Sequence, residues 1–249
     1  MLKDIWDKKS LSPAVAGKLF GRLLFNSSQY YGRYGRALLR AFKRRQHEKS
    51  RLGWNRQLEA ACAFWVPRLA IARPREIPVR PSDIPLVVSY SDGEGTGGVG
   101  CAIWAPGGVI EGGYMRTPHC VRALWTRQTE ICEEHFDILE VEAIGPVIVL
   151  ETWPHLVQGR LWLHFIDNAN ALSALVKGGS SVHSADCIAA WVSGKLAELG
   201  VMSWFDRVDT KSNPVDGLSR QRFEGPWKMV QLRFPPTLRR DLKAYLDER

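Results

Sequence analysis

The 249-residue sequence predicts a mixed α/β fold, a β-sheet flanked by helices and preceded by a basic helical extension. Three observations carry that expectation. Short apolar runs bounded by Gly or Pro begin near residue 86, and helical stretches follow them. Residues 1–73 read as a basic region built of helices. The charge changes with the pattern: residues 1–85 hold 18 Lys/Arg against 6 Asp/Glu, residues 86–220 hold 9 against 16, and residues 221–249 hold 7 against 4.

The elements follow in order. Ala, Leu, Lys and Phe over Pro13–Phe25 predict one helix, and GRALLRAFKRRQH over Gly35–His47 a second. A third is expected over Trp54–Ala72, with Leu58, Ala61, Phe64, Trp65 and Leu69 on its apolar side. Pro74, Pro78, Pro81 and Pro85 then forbid a continuous helix, which places a linker at 74–85 between a basic region, 1–73, and a central domain, 86–220. Strands are expected at Leu86–Tyr90, Gly100–Trp104 and Val109–Tyr114. Ile138–Trp153 reads as a buried helix that Pro146 could kink. Leu161–Ile166 is a strand, Ala169–Val176 and Ala185–Leu199 are helices, and Val201–Arg207 is a short strand. Residues 221–249 form an extension ending in a helix. The tryptophans Trp104, Trp153, Trp162, Trp191 and Trp204 fall in these elements and read as packing groups.

Composition narrows the function. No run approaches 18 apolar residues, and MLKDIWDKKSLS lacks an apolar signal core, so neither a membrane span nor a secretory signal is expected. Five cysteines without CxxC spacing favour reduced thiols and an intracellular, cytoplasmic or nuclear, setting. A basic flank beside an acidic centre points to a phosphate-backbone partner and a separate place for cations. Tyr30, Tyr31 and Tyr34 offer stacking groups near the basic helices, or ordinary packing.

Four acids fall at element boundaries: Asp92 after LVVSYS, Glu140 in DILEVEAIG, Asp167 after LWLHFI and Asp216 in SNPVDGLSR. Two strand ends and two adjoining helices could bring them to one sheet edge. Phosphodiester cleavage develops charge on phosphoryl oxygens, and two Mg²⁺ ions can orient water, lower its pKa and stabilise the leaving oxygen; Mn²⁺ can substitute. Asp92 would be shared between the ions, Glu140 and Asp167 would complete one side, and Asp216 the other. Taken singly, each acid also reads as a helix cap or a solvated carboxylate. Glu140 and Glu142 cannot share a helix face. Glu140, followed by Ala143, fits the packed face better, with Glu142 as a supporting acid or, in the other register, the ligand.

These segments, SYSDGEGTGGVG at 89–100, ILEVEAI at 138–144, FIDNANAL at 165–172 and RVDTKSNPVDGLSR at 207–220, resemble the ribonuclease H domain of reverse-transcribing retroelements. The resemblance spans about 86–220. It implies a ribonuclease H-like sheet and hydrolysis of the RNA strand of an RNA–DNA hybrid, with Asp92, Glu140, Asp167 and Asp216 as catalytic metal ligands. For hybrid binding, Asn168 and Asn213 read as positioning substrate or a catalytic loop, or as ordinary turn residues, and Ser219 and Arg220 as fixing the last loop, or Arg220 as a plain surface contact. LSPAVAGKLFGRLLFNSS and GRYGRALLRAF look like the thumb or connection region of a reverse transcriptase, which makes a polymerase region of the same polyprotein an expected partner. The chain has no Tyr-x-Asp-Asp signature, so it is not expected to synthesise DNA alone.

One departure is the lack of His in 205–215, where many active members carry a mobile one; His183 lies too early, and His155 and His164 read as structural. An inactive hybrid-binding or scaffolding module and an integrase-like or transposase-like strand-transfer domain are the alternatives. His119, Cys120, Cys132 and His135 supply zinc-type ligands, but at a spacing unusual for a zinc finger.

Overall fold

The computed structural model describes residues 1–29, 35–47, 53–71, 83–126 and 138–246. Tyr30, Tyr31, Tyr34, Cys132, His135 and most of the proline-rich stretch at 74–85 lie outside them. Four helices come first: α1 (Leu2–Lys8), α2 (Pro13–Gln29), α3 (Leu39–His47) and α4 (Arg56–Ile71). A hairpin meander follows, β1 (Leu86–Gly93), β2 (Gly98–Ala105) and β3 (Val109–Arg116), then α5 (His119–Thr126). Next are α6 (Ile138–Ala143), α7 (Gly145–Thr152), α8 (Pro154–Val157), β4 (Leu161–Ile166), α9 (Ala169–Lys177), α10 (His183–Leu199) and β5 (Met202–Arg207). A 3-10 turn at Thr210–Ser212, α11 (Asp216–Ser219), β6 (Lys228–Met229) and α12 (Pro236–Leu246) complete the described chain. None of the described helices is long and apolar enough to cross a membrane.

The strands form one mixed sheet in the order β5-β4-β1-β2-β3-β6. β1, β2 and β3 pair antiparallel, whereas β4 runs parallel to β1 and β5 parallel to β4. The parallel pairs need crossovers, and the helices between β1 and β5 supply them. Alternation along the strands separates two faces. Ser89 and Ser91 of β1, Cys101 and Ile103 of β2, and Trp162 and His164 of β4 are buried on the side of α7. Ile103, Ile144, Ile148, Leu150 and Ile166 are fully buried, each contributing about 1.5–3 kcal/mol by leaving water. On the other face Tyr90 stacks on Phe165 at 4.8 Å and meets Trp104 edge-on at 5.4 Å. Trp204 departs from its expected packing role: on the edge strand β5 it is 68% exposed.

Pro146 does more than kink a helix. The expected Ile138–Trp153 helix divides into α6 and α7 at Ile144, and Pro146 sits in the first turn of α7, where its missing N–H costs nothing. The N-terminal helices bury one face each. α2 does so through Ala16, Leu19 and Leu23, and α4 through Leu58, Ala61, Cys62 and Trp65, all within the same apolar cluster as the sheet core. Basic residues of α3 also turn inward: Arg45 is buried and donates to the Leu11 carbonyl at 2.7 Å, and Arg40 pairs at 3.2 Å with buried Asp186 of α10. Lys18, Arg22 and Lys43 remain exposed.

Two glycines set how closely elements approach. A Cβ on Gly100 would lie 2.5 Å from the Ser219 backbone nitrogen and 2.7 Å from Leu218 Cβ, so α11 rests directly on β2. A Cβ on Gly194 of α10 meets nothing within 4 Å. Gly100→Ala is expected to cost about 1–3 kcal/mol through overpacking. Gly194→Ala is expected to gain about 0.5–1 kcal/mol through helix propensity and a less free unfolded chain. Urea unfolding of the two variants checks the opposite signs.

Candidate metal centre

β1 and β4 lie side by side and parallel, with Tyr90 opposite Phe165, so Asp92 and Asp167 follow two residues later at the same end of the sheet. α6 brings a third carboxylate. Its backbone approaches β1 at Gly93, where a Cβ would stand 3.0 Å from the Glu142 nitrogen. Oxygens of Asp92, Glu142 and Asp167 all lie within 4.8 Å of one another. Asp92 and Glu142 are 3% and 4% exposed, and Asp167 is half-buried.

This geometry is electrostatically costly without a counter-charge. Burial, then the Asp167 and Asp92 carboxylates, push Glu142 up to about 10 against a stabilising backbone hydrogen bond from Gly93. Asp92 rises to about 6, chiefly by burial and with Asp167 and Asp216 adding to it, although a hydrogen bond from Ser219 opposes the shift. Glu142 Oε2 is buried with no hydrogen-bond partner. An orphaned buried carboxylate oxygen beside two other carboxylates fits a bound cation. An oxygen-only donor set suits a hard ion such as Mg²⁺ or Mn²⁺ over one that prefers sulfur or imidazole. Among the described residues no other group of three such ligands is present, and His119 and Cys120 belong to none.

The other expected site residues take different places. Glu140, favoured above Glu142, is not in the three-carboxylate group and accepts a hydrogen bond from Ser184 Oγ of α10. The structure brings the alternative, Glu142, to Asp92 and Asp167: both faces of this short helix are buried, so packing against the interior could not tell one glutamate from the other. Asp216 opens α11 outside the three-carboxylate cluster and pairs with Arg220 at 3.1 Å and Arg222 at 3.4 Å. Asn168 caps α9, its side-chain oxygen accepting from the Asn170 and Ala171 amides, each at 3.0 Å. Asn213 donates from Nδ2 to the Ser91 carbonyl at 3.1 Å and ties its loop to β1. Ser219 Oγ reaches both Asp92 and the Asp216 carbonyl. This contact joins residues 127 apart, and no local pattern announces it.

No protein-family model and no curated protein matches this chain.

The raised carboxylates give a pH signature. In the metal-free protein, Asp92 and Glu142 hold protons more tightly folded than unfolded. Their stabilising share is therefore complete below the unfolded value of about 4 and is lost as pH rises through the folded values. A divalent ion takes the deprotonated ligands, so its stabilisation should grow over the same interval. Thermal melts at stepped pH, in EDTA and in Mg²⁺, should diverge as pH rises. Parallel curves would count against a cation at these three residues.

Proposed function

We propose that this chain is a metal-dependent nuclease of the ribonuclease H type, derived from a retroelement, that hydrolyses the RNA strand of an RNA–DNA hybrid. The observation that carries the reading is the meeting of Asp92, Glu142 and Asp167 at one end of a mixed sheet, in segments that also bear the sequence resemblance. Two divalent ions held there would supply Lewis-acid activation of water and stabilise the leaving oxygen. Asp92 is the shared ligand in this reading, with Glu142 and Asp167 beside it. Ser219 orients Asp92 by hydrogen bonding to Oδ2, and Asn213 anchors the loop that brings Asp216 near Asp92. The exposed Lys18, Arg22 and Lys43 are candidates for phosphate contact, and recognition of the hybrid would use duplex shape and RNA 2′-hydroxyls. A polymerase region of the same polyprotein is the proposed partner.

A second reading, a hybrid-binding module without turnover, is favoured by two observations. The loop at 205–215 lacks His, and the Asp216 carboxylate is engaged by Arg220 and Arg222.

A cleavage assay with labelled RNA–DNA hybrid in Mg²⁺ or Mn²⁺, beside double-stranded RNA, double-stranded DNA and single strands, separates these readings. Internal RNA cleavage confined to the hybrid is expected. Asp92→Asn, Glu142→Gln and Asp167→Asn should each lower the rate about 100-fold or more, as loss of several kcal/mol of metal-derived stabilisation implies. Glu140→Gln, which keeps an acceptor for Ser184, should stay within about tenfold of wild type, a loss under about 1.4 kcal/mol. Tight hybrid binding without cleavage would favour the second reading, and DNA strand transfer would point to an integrase-like domain.

A further inference from the structure

Beneath the carboxylates, β1 and β4 are joined by a polar contact inside an otherwise apolar layer. His164 is fully buried, with Ser89 Oγ 2.7 Å from its Nδ1 and Ser91 Oγ 3.0 Å from its Nε2. Trp162, also on β4, donates its indole N–H to Ser89 Oγ at 2.7 Å. Burial holds His164 neutral, lowering it to about 3, so its ring offers one donor and one acceptor. One arrangement gives the imidazole, the indole and the Ser89 hydroxyl each a partner: Ser89 accepts from Trp162 and donates to Nδ1, and Nε2–H donates to Ser91.

Ser91 is the residue before Asp92, and it is held from three directions. His164 meets its hydroxyl, Asn213 donates to its carbonyl at 3.1 Å, and α7 presses on it so closely that a Cβ on Gly145 would lie 2.1 Å from its Oγ. A hydrophobic side chain at 164 could fill the same layer. What the imidazole adds is direction, because it fixes β4 against β1 one residue short of a carboxylate.

We infer that His164, acting through Ser91, is a positioning residue that sets where Asp92 stands relative to Glu142 and Asp167 for metal binding. The inference rests on the metal-centre reading given under Proposed function.

Mn²⁺ titration of the whole chain, followed by calorimetry and paired with melting curves in EDTA, tests it in wild type, Ser91→Ala, His164→Gln and His164→Asn. A glutamine amide reaches close to the place of Nε2 and can still serve Ser91; an asparagine amide reaches only toward Ser89. Ser91→Ala and His164→Asn should weaken Mn²⁺ binding about 10-fold or more, and His164→Gln clearly less, although the two His164 variants melt at similar temperatures. Mn²⁺ affinity unchanged in every variant would overturn the inference, whatever the melting temperatures. So would affinity lost only in proportion to the unfolded fraction, or equal losses in His164→Gln and His164→Asn. A wild-type protein that binds no Mn²⁺ would remove the metal centre itself and the positioning role with it.

Discussion

The close approach of three carboxylates in a largely buried corner is the constraint around which the rest of this structure is arranged. Like charges at such separations repel, and burial strips them of the water that would screen them. Their positions therefore have to be imposed by the scaffold. The parallel β1–β4 pair imposes two of them, because equal offsets past Tyr90 and Phe165 bring Asp92 and Asp167 out together. The third comes from α6, which lies so close to the strand end that a Cβ on residue 93 would stand 3.0 Å from the Glu142 nitrogen.

The supports of this corner come from distant parts of the chain. Gly100 makes room on β2 for α11, which delivers Ser219 to Asp92, and Asn213 fastens the preceding loop to β1. α6 looks in two directions. Its Glu142 joins the carboxylates, and its Glu140 takes a hydrogen bond from Ser184 in the first turn of α10. The same turn carries His183, which Gln57 of α4 approaches at 2.9 Å, and Asp186, which Arg40 of α3 pairs with. Removing Arg40 would take the ion-pair partner from the buried Asp186 carboxylate, so this seam gives the N-terminal helices a defined seat against the sheet layer.

Much of this was legible in the sequence, and the rest was hidden for identifiable reasons. Leu161–Ile166 has the bounds read from its short apolar run, and Asp92 and Asp167 could be read as strand-end acids because β-rich runs stop beside them. Pro146 announced a break but not its form, since the same residue kinks a helix interior or opens a new helix. α1, α5 and α8 have 7, 8 and 4 residues, too few turns for a periodic signal to stand out. The choice between Glu140 and Glu142 depends on what each face of α6 meets, and only tertiary packing supplies that. The arginines of α3 suggested a solvated or phosphate-facing surface, yet burial and Asp186 claim two of them.

The span of 127 residues between Asp92 and Ser219 also bears on how the protein acquires its site. Contacts so far apart in sequence form only after the loops between them have closed, which makes them late events in folding. A nascent chain can pair β1 with β2 and β3 soon after those strands appear, but Asp92 meets its hydroxyl partner only once residue 219 has been made. The corner that gathers the negative charge therefore cannot close until α11 has joined β1, β2 and β4.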